Sequence, residues 1–120
     1  MSFEGLVEAY KLLKANEDAG DAVETLIKNV EDYPYYKSVG FGGLPNRDCM
    51  MQMDGAYMDG DTLKIGAVSG ASEIKNVISV ARDLSKLDVN NFLVGVDADI
   101  YARQNNFATQ NMLTDRAKKM

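Results

Sequence analysis

The run Phe92-Leu93-Val94-Gly95-Val96 restricts the fold more than any other segment. It is apolar with no polar alternation, the pattern of a strand covered on both faces, and such a strand needs neighbours beside it and a layer above and below. Few neighbours are on offer. Residues Met50 to Met58 alternate loosely, and Thr62 to Val68 alternate more clearly through Leu63, Ile65 and Ala67. Between them Asp59-Gly60 is a strong two-residue hairpin signal, so these segments predict an antiparallel pair. Four strands or fewer, one apolar on both faces, make an incomplete central sheet in an α/β (α+β) arrangement.

The helices are clearer. Phe3, Leu6, Val7, Tyr10 and Leu13 recur at helical spacing, with Glu4, Glu8, Lys11 and Lys14 elsewhere on the wheel. After a polar break, Asp21 is placed to cap a second helix, with Glu24 as its box partner ahead of Val23, Leu26, Ile27 and Val30; Tyr33-Pro34 ends it. The segment Lys37 to Asn46 holds three glycines and reads as a loop or a distorted strand. Asn76 is placed to cap a third helix whose buried stripe is Val77, Val80, Ala81, Leu84 and Leu87. A short helix, Ala98 to Asn105, and a polar tail, NMLTDRAKKM, follow. The expectation is a single segment over 1–120, with no internal repeat or linker.

Composition removes several chemistries. There is no histidine, so Ser-His-Asp and Cys-His pairs, His-based zinc sites and an imidazole acid or base are all excluded. The single Cys49 rules out an internal disulfide and any site needing two thiolates, which favours a reducing compartment. The opening segment MSFEGLVEAYKLLK has acid among its apolar positions and reads as neither signal peptide nor membrane span, so a cytoplasmic location is expected. A formal charge of -5, with no local basic cluster, argues against nucleic acid as a partner.

Catalytic motifs of the ordinary kinds are missing. Gly40, Gly42 and Gly43 run into Leu44-Pro45 and open no nucleotide-binding helix, and Asp54, Asp59 and Asp61 lack the spacing of a calcium loop. These carboxylates read as structural, and no metal or cofactor site is expected. Met50, Met51 and Met53 read as packing residues or as a face for a partner. Glu8 with Lys11, and Glu24 with Lys28, read as solvated helical ion pairs.

Three strings stand in fixed order: SVGFGGLPN at 38–46, MDGAYMDGDTLKIGAVSG at 53–70 and IKNVISVARDL at 74–84, accompanied by DAVE at 21–24, FLVG at 92–95 and NMLTDRAK at 111–118. Together they resemble the glycosylasparaginase branch of the asparaginase and isoaspartyl peptidase family, over almost the whole chain. That family belongs to the N-terminal nucleophile hydrolases, in which a precursor cuts itself into α and β subunits and the new terminal threonine of the β subunit is the nucleophile. The resemblance implies part of a four-layer αββα sandwich, matched by the α subunit alone. It also implies hydrolysis of an aspartyl side-chain amide: a sugar-asparagine bond, asparagine itself or an isoaspartyl dipeptide. Such chemistry needs no histidine, because a terminal amine with a pKa of about 8 can act as base for its own hydroxyl.

On that resemblance, no catalytic residue lies in this chain. The expected nucleophile belongs to a β partner, and a strand and a tryptophan-bearing segment are expected ahead of the first helix, so the chain reads as truncated at both sides. Ser38 matches a family serine that lies beside the nucleophile and helps hold it, with Gly40, Gly42 and Gly43 letting its loop approach the site. Asp54 matches a structural carboxylate, and Asn76 and Arg82 read as a cap and a helix-surface or interface residue. The sequence departs from the family at Cys49, Gln52, Gly55 and Val77; Gly55 is expected to weaken its strand and Cys49 to strain its turn. Ser2, at the start of the first helix, reads as a cap and not as a terminal nucleophile. The alternative is a non-enzymatic module that self-associates through open sheet edges.

Overall fold

A computed structural model describes residues 3–120; Ser2 lies outside the described residues. The elements run α1 (Phe3–Lys14), α2 (Ala19–Glu31), β1 (Met53–Met58), β2 (Ile65–Ala71), α3 (Val77–Leu84), β3 (Phe92–Val94), α4 (Val96–Gln104) and α5 (Asp115–Lys118). The sheet order is β1-β2-β3, with β1 antiparallel and β3 parallel to β2. Helices combine with an incomplete mixed sheet, the α+β arrangement expected of part of an N-terminal nucleophile hydrolase fold.

The core lies between the sheet and α3. Val68 of β2, Val80 and Leu84 of α3, and Ile74 and Met112 are all fully buried. Glycines set how close the layers come. A Cβ on Gly66 would overlap the Ala81 carbonyl, and one on Gly55 would press on the Val77 side chain at 3.1 Å. Gly55 therefore does more than weaken its strand. It lies beside an irregularity in the β1/β2 register and lets α3 settle onto β1.

Several expectations need correction. Phe92 and Val94 are buried on neither side in the expected manner: they are 59% and 57% exposed, and only Leu93 between them packs on the core. Their face of the sheet continues through Ala67, paired with Phe92, and through Ile65, paired with Met58, and it carries no second layer among the described residues. The alternation through Leu63, Ile65 and Ala67 thus marks the open face, while Gly66 and Val68 point inward. The hairpin connection is also longer than two residues. Met58 pairs with Ile65, and Asp59 donates its N–H to the Lys64 carbonyl at 2.9 Å. The Asp59 carboxylate accepts from the Asp61 and Thr62 amides and builds the intervening turn itself.

The helical stripe of α1 is present, but Phe3, Leu6, Tyr10 and Leu13 are exposed. α1 meets α2 through the small residues Gly5 and Ala9, and a Cβ on Gly5 would come within 2.8 Å of Asn29 Cβ. Close helix contact through small residues turns the larger ones aside. α2 begins three residues earlier than expected: Asp18, not Asp21, is its cap, accepting from the Gly20 amide at 2.6 Å. The tail is not merely polar, because α5 is capped by Thr114 and Met112 and Ala117 are buried. Among the described residues, no helix is long and apolar enough to cross a membrane.

Candidate functional site

The glycine segment forms a tight loop, with no strand, folded back on the end of α2. Phe41 donates its amide to the Glu31 carbonyl at 2.8 Å, Gly42 to the Met112 carbonyl at 3.2 Å, and Leu44 to the Lys37 carbonyl at 2.9 Å. Gly40 (φ +57°) and Gly42 (φ +89°) have left-handed backbones. A Cβ at either would also collide with backbone, the Glu31 carbonyl for Gly40 and the Pro34 carbonyl for Gly42. Gly43, with an ordinary backbone, is buried and donates to the Gly40 carbonyl.

This loop forms one wall of a cavity of about 690 Å³. Ser38 is exposed and lines it together with Gly40 and Gly43; Gly42 faces away. The opposite walls are Leu6 of α1, Leu26 and Val30 of α2, Asp54 and Ala56 of β1, and Ile78 of α3. The lining is mostly aliphatic, which suits contact with another apolar surface at least as well as capture of a small polar ligand.

One buried carboxylate also lines the cavity. Glu31 is 5% exposed. Its Oε1 accepts from the Ile78 amide at 3.2 Å and its Oε2 from Asn76 Nδ2 at 3.1 Å. Asn76 occupies the cap position of α3 but makes no side-chain cap bond, so Glu31 supplies the acceptor that Asn76 was expected to provide. Burial pushes the Glu31 carboxyl up to about 7, against the pull of its two donors; Asp32 adds to the rise and Lys28 opposes it. Sequence reasoning passed over this residue. The available signal was its position four after Ile27, an acid on the apolar face of an amphipathic helix.

The other carboxylates are anchored. Asp54 accepts from Ser69 Oγ and the Gly70 amide, both at 2.8 Å, across the β1/β2 irregularity. Asp99 of α4 is buried and accepts from the Ser72 and Glu73 amides. Asp21 and Glu24 form neither a capping box nor a simple pair with Lys28: both bind Arg82 Nη1 at 2.7 Å, and Ser79 Oγ donates to Glu24 at 2.5 Å. Burial raises the Glu24 carboxyl, but Ser79 and Arg82 overcome it and hold it below its usual range. Arg82 is thus a bolt between α2 and α3, with its guanidinium over the Tyr57 ring.

Cys49 is exposed, and its left-handed backbone at φ +58° is the kind of strain expected of its turn. Met51 and Met53 are in the core, whereas Met50 is exposed. No group of three metal-ligating acids or thiols occurs among the described residues.

Residues 3–120 match the asparaginase family model. The chain is 41% identical over 113 residues to an N(4)-(β-N-acetylglucosaminyl)-L-asparaginase of Elizabethkingia miricola, covering 94% of this chain and 33% of that protein. It is 38% identical over 112 residues to a plant-type L-asparaginase of Pyrococcus horikoshii, covering 93% of this chain and 36% of that protein. A rat isoaspartyl peptidase/L-asparaginase is 34% identical over 115 residues, covering 93% and 34% respectively. The chain spans about a third of the length of these relatives. By sequence, and with a fold to match, it belongs to the asparaginase, isoaspartyl peptidase and glycosylasparaginase family.

Proposed function

We propose that this chain is the α-subunit-like portion of an amidohydrolase that cleaves aspartyl side-chain amides: glycosylasparagine, asparagine or isoaspartyl dipeptides. It contributes scaffold and the Ser38 loop, and it is inactive without a β subunit that carries the threonine nucleophile. The observation that carries this reading is the loop itself. Two left-handed glycines fold it against α2 and leave the Ser38 hydroxyl exposed at an apolar cavity.

In this reading the β subunit supplies a terminal threonine whose own amine takes the hydroxyl proton. The hydroxyl oxygen attacks the amide carbon, and the amine returns the proton to the leaving nitrogen. Water then releases aspartate from the ester. Ser38 hydrogen-bonds beside the nucleophile and holds it, a role that its exposed hydroxyl leaves it free to take. The test is aspartate release from asparagine, sugar-asparagine and β-aspartyl dipeptides, by the chain alone and mixed with a family β chain. Activity only in the mixture, lost with the β threonine and reduced in Ser38→Ala, is expected; activity of the lone chain overturns the reading.

A second reading, a self-associating module without catalysis, is favoured by the open sheet face at Ile65, Phe92 and Val94. Sedimentation separates the two: a concentration-independent monomer that melts cooperatively counts against self-association.

A further inference from the structure

The backbone and side chain of Glu31 are engaged on opposite sides. Its carbonyl receives the Phe41 amide at 2.8 Å and lies where a Cβ on Gly40 would have to go. Its carboxylate receives the Ile78 amide and the Asn76 side chain at the start of α3. Asn76 also donates to Asp32 at 2.9 Å, so the end of α2 grips the α3 terminus through two consecutive acids. We propose that Glu31 is a positioning residue that fixes the Ser38 loop relative to α3 and the sheet, with its carboxylate anchoring on α3 the carbonyl from which the loop hangs.

Only the importance of this role for catalysis rests on the function proposed above; the coupling is a property of the chain itself. The alternative is a helix cap whose effect stops at Ile78. A cap would protect Ile78 and leave the loop indifferent, whereas a positioning residue must move both.

Amide hydrogen exchange resolved by residue distinguishes these, with buried Val80 of α3 as the reference for global opening. In Glu31→Ala, Ile78 and Phe41 both exchange about tenfold faster relative to Val80. Glu31→Gln keeps one acceptor oxygen, which restores Ile78, but turns a donating NH2 toward Asn76 Nδ2, so Phe41 recovers only to the about threefold effect expected of losing the Asn76 bond. Asn76→Ala leaves Glu31 intact, removes one donor from its carboxylate, and speeds Phe41 by about threefold. Acceleration of Ile78 without Phe41, an unchanged Phe41 in Asn76→Ala, or a Phe41 as fast in Glu31→Gln as in Glu31→Ala would each overturn the proposal. Should the alanine variant at 31 not fold, the glutamine and Asn76→Ala variants decide. Neither substrate nor partner is needed, so a negative exchange result leaves the proposed hydrolase reading standing, and absence of aspartate release leaves the exchange result standing.

Discussion

The two faces of the sheet are both apolar and have opposite fates. On one, Gly66 and Val68 of β2 meet Val80, Ala81 and Leu84 of α3, and the large side chains there are sealed from water. On the other, Ile65, Phe92 and Val94 stand open. The connection explains the asymmetry: β2 and β3 are parallel, so the chain must cross between them, and its crossover helix covers one face only. Hydrophobicity records that a face is to be covered somewhere. Topology decides whether this chain provides the cover.

The comparison breaks first at Leu84. Leu84→Ala removes a fully buried side chain from the sealed face and is expected to cost about 3 kcal/mol in urea unfolding. A cost under about 1 kcal/mol, the value for an exposed leucine, would mean that the face under α3 is no better packed than the open one.

The α2–α3 seam holds two acids shifted in opposite directions, and pH separates them. Glu31 titrates at about 7 in the fold against an ordinary 4.5, so the fold binds more protons than the unfolded chain between those values. Its contribution is most favourable below about 4.5 and is lost as pH rises to about 7, a swing of up to about 3 kcal/mol. Glu31→Gln should flatten that slope. Glu24 is held below its ordinary value, so its contribution is full above 4.5 and is lost as pH falls through its folded pKa. Arg82→Ala leaves Asp21 and Glu24 facing each other without their cation; it should cost about 2 kcal/mol near neutrality and less in acid. Urea titrations across pH 3–8 on the three proteins check both signs. A Glu31→Gln profile parallel to the parent would refute the assignment to Glu31.

The elements were mostly legible because they rest on local signals. Val77, Val80, Ala81 and Leu84 of the α3 stripe are buried as spaced, whereas Leu87 lies past the helix end and is exposed, and Gly40 and Gly42 of the Ser38 loop have positions that only glycine fills easily. What failed depends on contacts distant in sequence. Asp21 and Glu24 have the spacing of a capping box, but a partner 61 and 58 residues away, Arg82, claims both. Asn76 has the identity of a cap, yet Glu31, 47 residues before Ile78, does the capping. At the candidate site the glycine segment that carries Ser38 could be read as a loop, whereas the buried acid behind it was disguised as one more charge on a charged helix. The unalternating run at 92–96 was read as doubly covered because a strand's sequence does not say which layers its own chain contains.

The smallest expected effect tests the open face. Phe92 is largely exposed, so Phe92→Ser gives up little burial, and the chain alone should change by less than about 0.5 kcal/mol in urea unfolding. The same change places a hydroxyl at the centre of an apolar face formed with Ala67 and Val94. If a β chain covers that face, an anchor of this size at its middle is expected to weaken association at least tenfold, measured by titration calorimetry. If copies of this chain cover it, the loss appears instead as a sedimentation coefficient that no longer rises with concentration. A stability loss near that of Leu84→Ala in the isolated chain would show that Phe92 is already packed, and the contrast between the two faces would collapse.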